Sequence, residues 1–493
     1  MWSVDRLLIW GVEQDITMIG NPQARAIVGF SINTQTLQPG EIFIALPGTN
    51  HDGHDFVQDA FHKGAAGAMV ARSWFESRVD LFKNHFMIVV DDPLVGLQSL
   101  ATWHRNAFEG PVIGITGSNG KTTTKEMLAK ILSRRGHVLK TEGNFNNQIG
   151  LPLTLLRLER NDQAAVLEMG ISRPGDMRLL CDIARPTMGI ITNIGAAHLE
   201  FLGSLEGVAT EKGVLFEAIS STGIAIINQD DPYLSQWEAA ISKKWTYSIG
   251  GTTLAGHVAP ARHNADLMAS EIAQNENGIS FTLTLDRNQK GGGGKMKVIL
   301  SVVGQVQVYN ALAASAAALA LGYEFDEIRS ALREFSPISL RGEVVKWNGA
   351  TILLDAYNAN PSSMKAALQT LAGYGSQGRK VAVLGDMLEL GSAAKAAHKE
   401  IGRKVAQSGI DRLIAVGKFC EVVACGATGA GMAKEAIATF KDIASVDLAH
   451  EIQQGDIVLI KGSRGMKMER LLVSPEPFAL AGGGPLCAKG NSH

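Results

Sequence analysis

The segment VIGITGSNGKTT (Val112–Thr123) constrains this chain more than any other. An apolar run feeds a turn containing Gly117 and Gly120, and the stretch beyond it places Met127, Leu128, Ile131 and Leu132 on one helical face. A buried strand, a glycine-rich turn and a helix are therefore predicted in succession. Similar apolar runs recur at Ala165–Met169, Met188–Thr192 and Ile224–Asn228, with helical stretches between them. That alternation is the sequence sign of a parallel sheet covered by helices, and the predicted fold class is α/β.

Glycines let a backbone curl so that successive N–H groups face an anion, and the following helix adds its positive end. In Thr116, Gly117, Ser118, Asn119, Gly120, Lys121, Thr122 and Thr123, the lysine suits the β- and γ-phosphates, and the Thr122 hydroxyl suits Mg²⁺. A strict Walker pattern needs glycine where Ile115 stands, so the segment fits the shorter TGxNGKT form. The bland alternative is a glycine turn beside a surface lysine; the strand before and helix after favour an ATP site. Glu168 closes the run AVLE, where a carboxylate faces the nucleotide crevice and balances a metal. Elsewhere such an acid is more often a helix cap.

The chain has 493 residues, enough for about three domains. We divide it into 1–108, a central ATP-binding part 109–335, a Rossmann-like part 336–473 and a disordered tail 474–493. The first part holds Pro39-Gly40, Pro47-Gly48 and Asp52-Gly53 turns. Alternating segments on either side of Gly291–Gly294 predict a β-hairpin with a flexible tip, and an alanine-rich helix is expected from near Tyr309. The third part carries TILLDA, KVAVLGD, RLIAVG and IVLIKGS. A net charge of −2 argues against nucleic acid or a membrane surface as partner. Cys181, Cys420, Cys425 and Cys487 show no zinc spacing, and the apolar run Ala311–Gly322 is too short to span a bilayer. The N-terminus lacks a basic region followed by a long apolar stretch. A soluble, cytoplasmic monomer is expected.

TGSNGKTTTKEM resembles the ATP loop of the Mur ligase family, and further motifs follow in family order along nearly the whole chain. These are Thr141–Leu156, Leu167–Gly170, Thr192–Ser204, Leu340–Glu343, Asp355–Met364, Val383–Gly391 and Lys461–Glu469. The last three resemble the branch that adds D-alanyl-D-alanine, and no Asp-Asn-Pro-Arg motif of the diaminopimelate-adding branch is present. The resemblance implies a three-domain α/β fold whose central P-loop parallel-sheet ATPase lies between a UDP-binding domain and a Rossmann-like domain. It implies ATP-dependent joining of D-alanyl-D-alanine to a UDP-N-acetylmuramoyl-tripeptide through an acyl phosphate. It also implies two Mg²⁺ sites built from Thr122, Glu168, His198 and Lys212, with Lys212 carbamoylated and Lys121, His198 and Lys212 catalytic. Asn310, Arg341 and Asp355 are implied nucleotide contacts. Gly48, Asp52, Gly53 and His54 are the implied uridine contacts, and Thr141, Asn144 and Asn147 line the muramoyl path. Asn358 and Asn360 are dipeptide candidates. Lys461 and Arg464 of KGSR either hold the dipeptide carboxylate or solvate a loop.

Two departures stand out. Where the family has Asp-Ser-Arg, this chain has Asn33, Thr34 and Gln35, so an ion pair is expected to become a neutral one. The adenine motif Gly-x-His-Asn-x-x-Asn keeps only Gly304 and Asn310, leaving Asn310 and Gln307 to meet the base. Competing functions are a folylpolyglutamate synthase-like ligase, a non-catalytic muropeptide-binding protein and a simple kinase. An ATP site on one domain and an amine site on another require closure, with hinges near Gly322 and Ser336.

Overall fold

The computed structural model describes residues 2–20, 26–219, 223–239, 241–250, 265–286, 293–375 and 378–472. The tail 474–493 and residues 291 and 292 of the glycine tip lie outside them. The chain divides into two compact units, Met1–Ser336 with Glu389–Ser392, and Pro337–Leu388 with Ala393–His493.

The first unit holds two large sheets. One has five strands in the order 17–19, 87–90, 67–71, 41–44 and 29–31, parallel except at 17–19. The other has nine, in the order 294–300, 278–285, 267–275, 244–248, 224–228, 188–191, 112–116, 164–168 and 138–140. It is parallel from 267–275 to 138–140, and the remaining two strands form an antiparallel extension. The expected hairpin is present as Gly278–Leu285 paired with Gly294–Leu300. The alanine-rich helix begins earlier than expected, at Gln305, because Gly304 (φ 102°) releases the chain into it.

Every residue of Val112–Thr116 and Ala164–Glu168 is buried, which explains why these strands read as continuous apolar runs rather than alternating ones. Val112–Thr116 lies between 164–168 on one side and 188–191 on the other. The strand order switches direction there, so the carboxyl ends of three strands open onto one crevice.

The helix Pro93–Asn106 joins the two sheets of this unit. Asp92 caps it, with its carboxylate accepting from the Leu94 and Val95 N–H groups, and Pro93 occupies its first turn. Its Leu97, Leu100 and Ala101 share one apolar cluster with Trp2, Trp10, Leu151 and Leu180. Polar contacts fix the joint: Trp2 Nε1 donates to Leu156 O (2.7 Å) and His104 Nε2 to Leu158 O (2.8 Å), while His104 Nδ1 accepts from Arg6 Nη2 (3.0 Å). Those partners require a neutral imidazole protonated on Nε2.

In the second unit the strand order is 343–347, 350–355, 457–461, 380–384, 412–416 and 437–440, parallel except for the first pair. Ile352, Leu354, Val383, Ile414, Val458 and Ile460 are buried in its core. Among the described residues, no helix is long and apolar enough to cross a membrane.

Burial, reinforced by Arg6, pushes the His104 pKa down to about 4 from an ordinary value near 6.5. The unfolded chain then binds the extra proton between those limits, so this stabilisation is complete above pH 6.5 and is lost as pH falls towards 4. At about 1.4 kcal/mol per pKa unit, the loss is roughly 3 kcal/mol. Urea unfolding of the first unit is expected to weaken over this window, and His104→Gln is expected to remove that part of the slope.

Candidate active site

The loop after Val112–Thr116 turns on two glycines. Gly117 has φ 142° and Gly120 has φ 84°, conformations that L side chains avoid. Space is equally restrictive, since a Cβ on Gly117 would lie 1.9 Å from Thr192 Oγ1 and one on Gly120 2.3 Å from Asn310 Oδ1. The helix Lys121–Leu132 starts at Gly120, and Lys121 Nζ donates back to Gly117 O at 2.7 Å.

Glu168 ends its strand beside this loop. Its Oε2 accepts from Thr122 Oγ1 and its Oε1 from Asn146 Nδ2, both at 2.8 Å, and its backbone N–H donates to Thr141 Oγ1 at 3.0 Å. The two residues expected to share a magnesium ion are thus already paired, and hydroxyl and carboxylate oxygens are the hard donors that Mg²⁺ takes. Lys125, buried on the same helix, donates to Thr141 O at 2.6 Å and lies 3.0 Å from Glu126 Oε1. Thr141 is therefore fully enclosed and joins Glu168 to the nucleotide helix, whereas the sequence reading placed it on the muramoyl path.

Lys212 is 2% exposed on the helix Leu205–Ile219. Burial first, then the charge of Lys121, holds its amine well below the usual lysine range, with Glu211 opposing. His198, at φ 55°, is lowered by burial, with Glu389 opposing and Lys212 and Lys121 adding to the effect. These mutual influences place Lys121, His198 and Lys212 in one electrostatic neighbourhood. Asn310 Oδ1 accepts from Thr124 Oγ1 (3.3 Å) and its Nδ2 donates to Gln307 Oε1 (3.0 Å), so the surviving adenine-motif asparagine braces the nucleotide helix. Thr116 and Thr123 are buried in the same region.

Several other expected contacts serve their own backbone. His54 Nε2 accepts from Ala71 N–H (2.9 Å), which puts the ring proton on Nδ1, 2.6 Å from Asp52 Oδ1. Asp52 also accepts from the His54 N–H, and this bond is the main reason its pKa falls. Gly48 N–H bonds to His51 O, and a Cβ on Gly53 would strike the Leu46 backbone at 2.6 Å. Asn33 Oδ1 accepts from Gln35 N–H, a local turn in place of the expected side-chain pair. Asn147 Oδ1 accepts from Ile149 and Gly150 N–H groups at the start of a helix, while Asn144 is exposed.

In the second unit Asn360 caps the helix Pro361–Ala372, and Asn358 Oδ1 accepts from Ala359 N–H. Lys461 is buried, with Nζ 2.7 Å from both Asp355 Oδ2 and Asn358 O, so the charges of Asp355 and Lys461 offset each other. Arg341 lies 3.8 Å from the centre of the Tyr357 ring, and Arg464 pairs with Glu469 at 2.6 Å.

Two family models match the chain: the Mur ligase middle domain over residues 115–318, and the Mur ligase glutamate ligase domain over 340–464. A relative from Bacillus subtilis, named UDP-N-acetylmuramoyl-tripeptide–D-alanyl-D-alanine ligase, is 37% identical over 461 residues, 92% of this chain and 94% of the relative. The chain belongs to the Mur ligase family. Its fold matches a crystal structure described as MurF from Acinetobacter baumannii with a TM-score of 0.81 at 31% identity, over 95% of this chain and 97% of that one. A structure described as MurF ligase from Thermotoga maritima in complex with ADP matches with a TM-score of 0.76 at 29% identity, over 90% and 96%.

Three residues of this Mur ligase escaped the sequence reading: Lys125, Asn146 and Asn193. All lie inside the family motifs, but only their distant partners distinguish them from ordinary polar residues. Gly117→Ala is expected to weaken nucleotide binding by about tenfold or more, the equivalent of roughly 1.4 kcal/mol, because strain and the Thr192 contact both oppose the loop. Calorimetric titration with ADP checks this.

Proposed function

We propose that this chain joins D-alanyl-D-alanine to UDP-N-acetylmuramoyl-tripeptide at the expense of ATP, forming the UDP-linked pentapeptide used to build peptidoglycan. The observation that carries the reading is the Thr122–Glu168 pair beneath a phosphate loop whose neighbours are Lys121 and Lys212. The substrates are those in the names of relatives matched over about nine-tenths of the chain.

Two anions must meet, the tripeptide's terminal carboxylate and the γ-phosphate of ATP. Lys121 offsets the charge spread over the transferring phosphoryl group, and the first turn of its helix presents N–H groups without intrahelical partners. A carboxylate oxygen attacks phosphorus, ADP leaves, and an acyl phosphate results. The uncharged dipeptide amine then attacks the carbonyl carbon, loses a proton and expels phosphate. Water must be kept from the acyl phosphate, which it would hydrolyse. Magnesium held by Thr122 and Glu168, with His198 and Lys212 as ligands to a second ion, would neutralise phosphate charge.

An ammonium cannot ligate a cation, so Lys212 fits that role only after its amine adds to CO₂ with loss of a proton. Burial and Lys121 favour the neutral amine that this addition requires. The uridine end belongs to 1–108, where Asp52 and His54 shape the loop that presents Gly48 and Gly53. Asn144 faces the muramoyl path from a loop that Thr141 and Asn147 hold. In the second unit Asn358 and Arg464 are the dipeptide contacts, and Asn360 and Lys461 act by shaping their loops.

Phosphate release is expected only with ATP, the muramoyl tripeptide and D-alanyl-D-alanine together. Release with a folate and glutamate instead would transfer the assignment to the folylpolyglutamate class. Lys121→Ala should lower kcat by about two orders of magnitude or more. Wild-type activity should fall in CO₂-free buffer and recover with bicarbonate, whereas Lys212→Arg should be inactive in both; indifference of the wild type to bicarbonate would refute the carbamate.

A further inference from the structure

Asn193 has no role in the chemistry above, yet it makes three hydrogen bonds to the phosphate loop, two of them through its side chain. Its side chain grips the Asn119 backbone from both sides: Oδ1 accepts from Asn119 N–H, and Nδ2 donates to Asn119 O, each at 3.0 Å. Its carbonyl accepts from Ser118 N–H, again at 3.0 Å. On either side of it Thr192 Oγ1 donates to Asn119 O at 2.5 Å, and Ser118 Oγ both accepts from Gly195 N–H (2.8 Å) and donates to Gly195 O (2.9 Å). The loop is therefore laced to Thr192–Gly195, the segment that runs on to His198.

This lacing has a chemical consequence. The Ser118 and Asn119 amides, which the sequence reading aimed at phosphate, are turned to Asn193. Anion binding is left to the first turn of the helix, whose entry through Gly120 the same loop shape dictates. An asparagine amide is suited to this grip because it offers a donor and an acceptor in one plane, matching a peptide's N–H and C=O. Aspartate has no donor there, and alanine has neither group.

We propose that Asn193 is a positioning residue for phosphoryl transfer: it holds the phosphate loop in its anion-binding shape and keeps it in register with the segment that carries His198. The inference rests on the reading of this chain as an ATP-dependent ligase and identifies a residue through which that site is assembled.

The test uses the full chain, with ADP and a non-hydrolysable ATP analogue titrated calorimetrically in the presence of Mg²⁺, beside steady-state ligation. For Asn193→Ala, nucleotide affinity is expected to fall at least tenfold. KM for ATP should rise to match and kcat should drop, while KM for D-alanyl-D-alanine stays within twofold. Asn193→Asp should lose as much, because a carboxylate oxygen then meets Asn119 O. Ser118→Ala loosens the same lacing from its other side and should show a smaller loss in the same direction; the double variant should lose less than the product of the two.

Nucleotide affinity within twofold of wild type in Asn193→Ala would overturn the proposal, as would an equal rise in every KM, the mark of general destabilisation. If Asn193→Ala does not fold, Ser118→Ala decides: unchanged nucleotide affinity there overturns it. Failure of the wild type to ligate would remove the assigned reaction, but the affinity comparison would still decide the role of Asn193.

Discussion

A carboxylate at the end of a buried strand is the constraint around which the catalytic region is built. Glu168 is 3% exposed, and a carboxyl group so enclosed is tolerated only when its oxygens are hydrogen-bonded. Its partners arrive from separate segments: Thr122 from the nucleotide helix, and Thr141 and Asn146 from the loop that follows the strand Val138–Lys140. Lys125 ties that loop back to the helix. The helix Lys121–Leu132 and the loop read as an acceptor path are consequently held through one acid.

Around this anchor lie basic side chains whose charged forms burial opposes. Burial and the charge of Lys121 lower the Lys212 amine against the pull of Glu211, and His198 is lowered by burial and by both lysines. With a net charge of −2 the overall field does not favour anions, so their recognition falls to local groups. The same burial that makes an ammonium at Lys212 unfavourable leaves a nucleophilic amine in its place.

The strand–loop–helix unit, the acid at the end of AVLE and the third α/β part were all legible, because each is written in a short stretch with strong periodicity or turn chemistry. Side-chain direction was not. Thr141, Asn147, His54 and Asn360 have the polar character expected of substrate contacts, yet each satisfies backbone groups at a strand end, helix start or tight turn. The residues that went unnoticed act across gaps: 74 positions separate Asn193 from Asn119, 22 separate Asn146 from Glu168, and 16 separate Lys125 from Thr141. No local pattern marks such partners.

By itself the sequence determined the order of apolar runs, the glycines at 117 and 120, and the motifs that tie the chain to its family, since these depend on neighbours a few residues apart. Tertiary structure alone decided that strands 112–116, 164–168 and 188–191 lie side by side, so that Gly117, Glu168 and Thr192 meet at one end of the sheet. It also decided which polar atoms are taken up by the protein's own backbone. Every buried donor or acceptor must find a partner, and that partner is selected by proximity in three dimensions rather than along the chain.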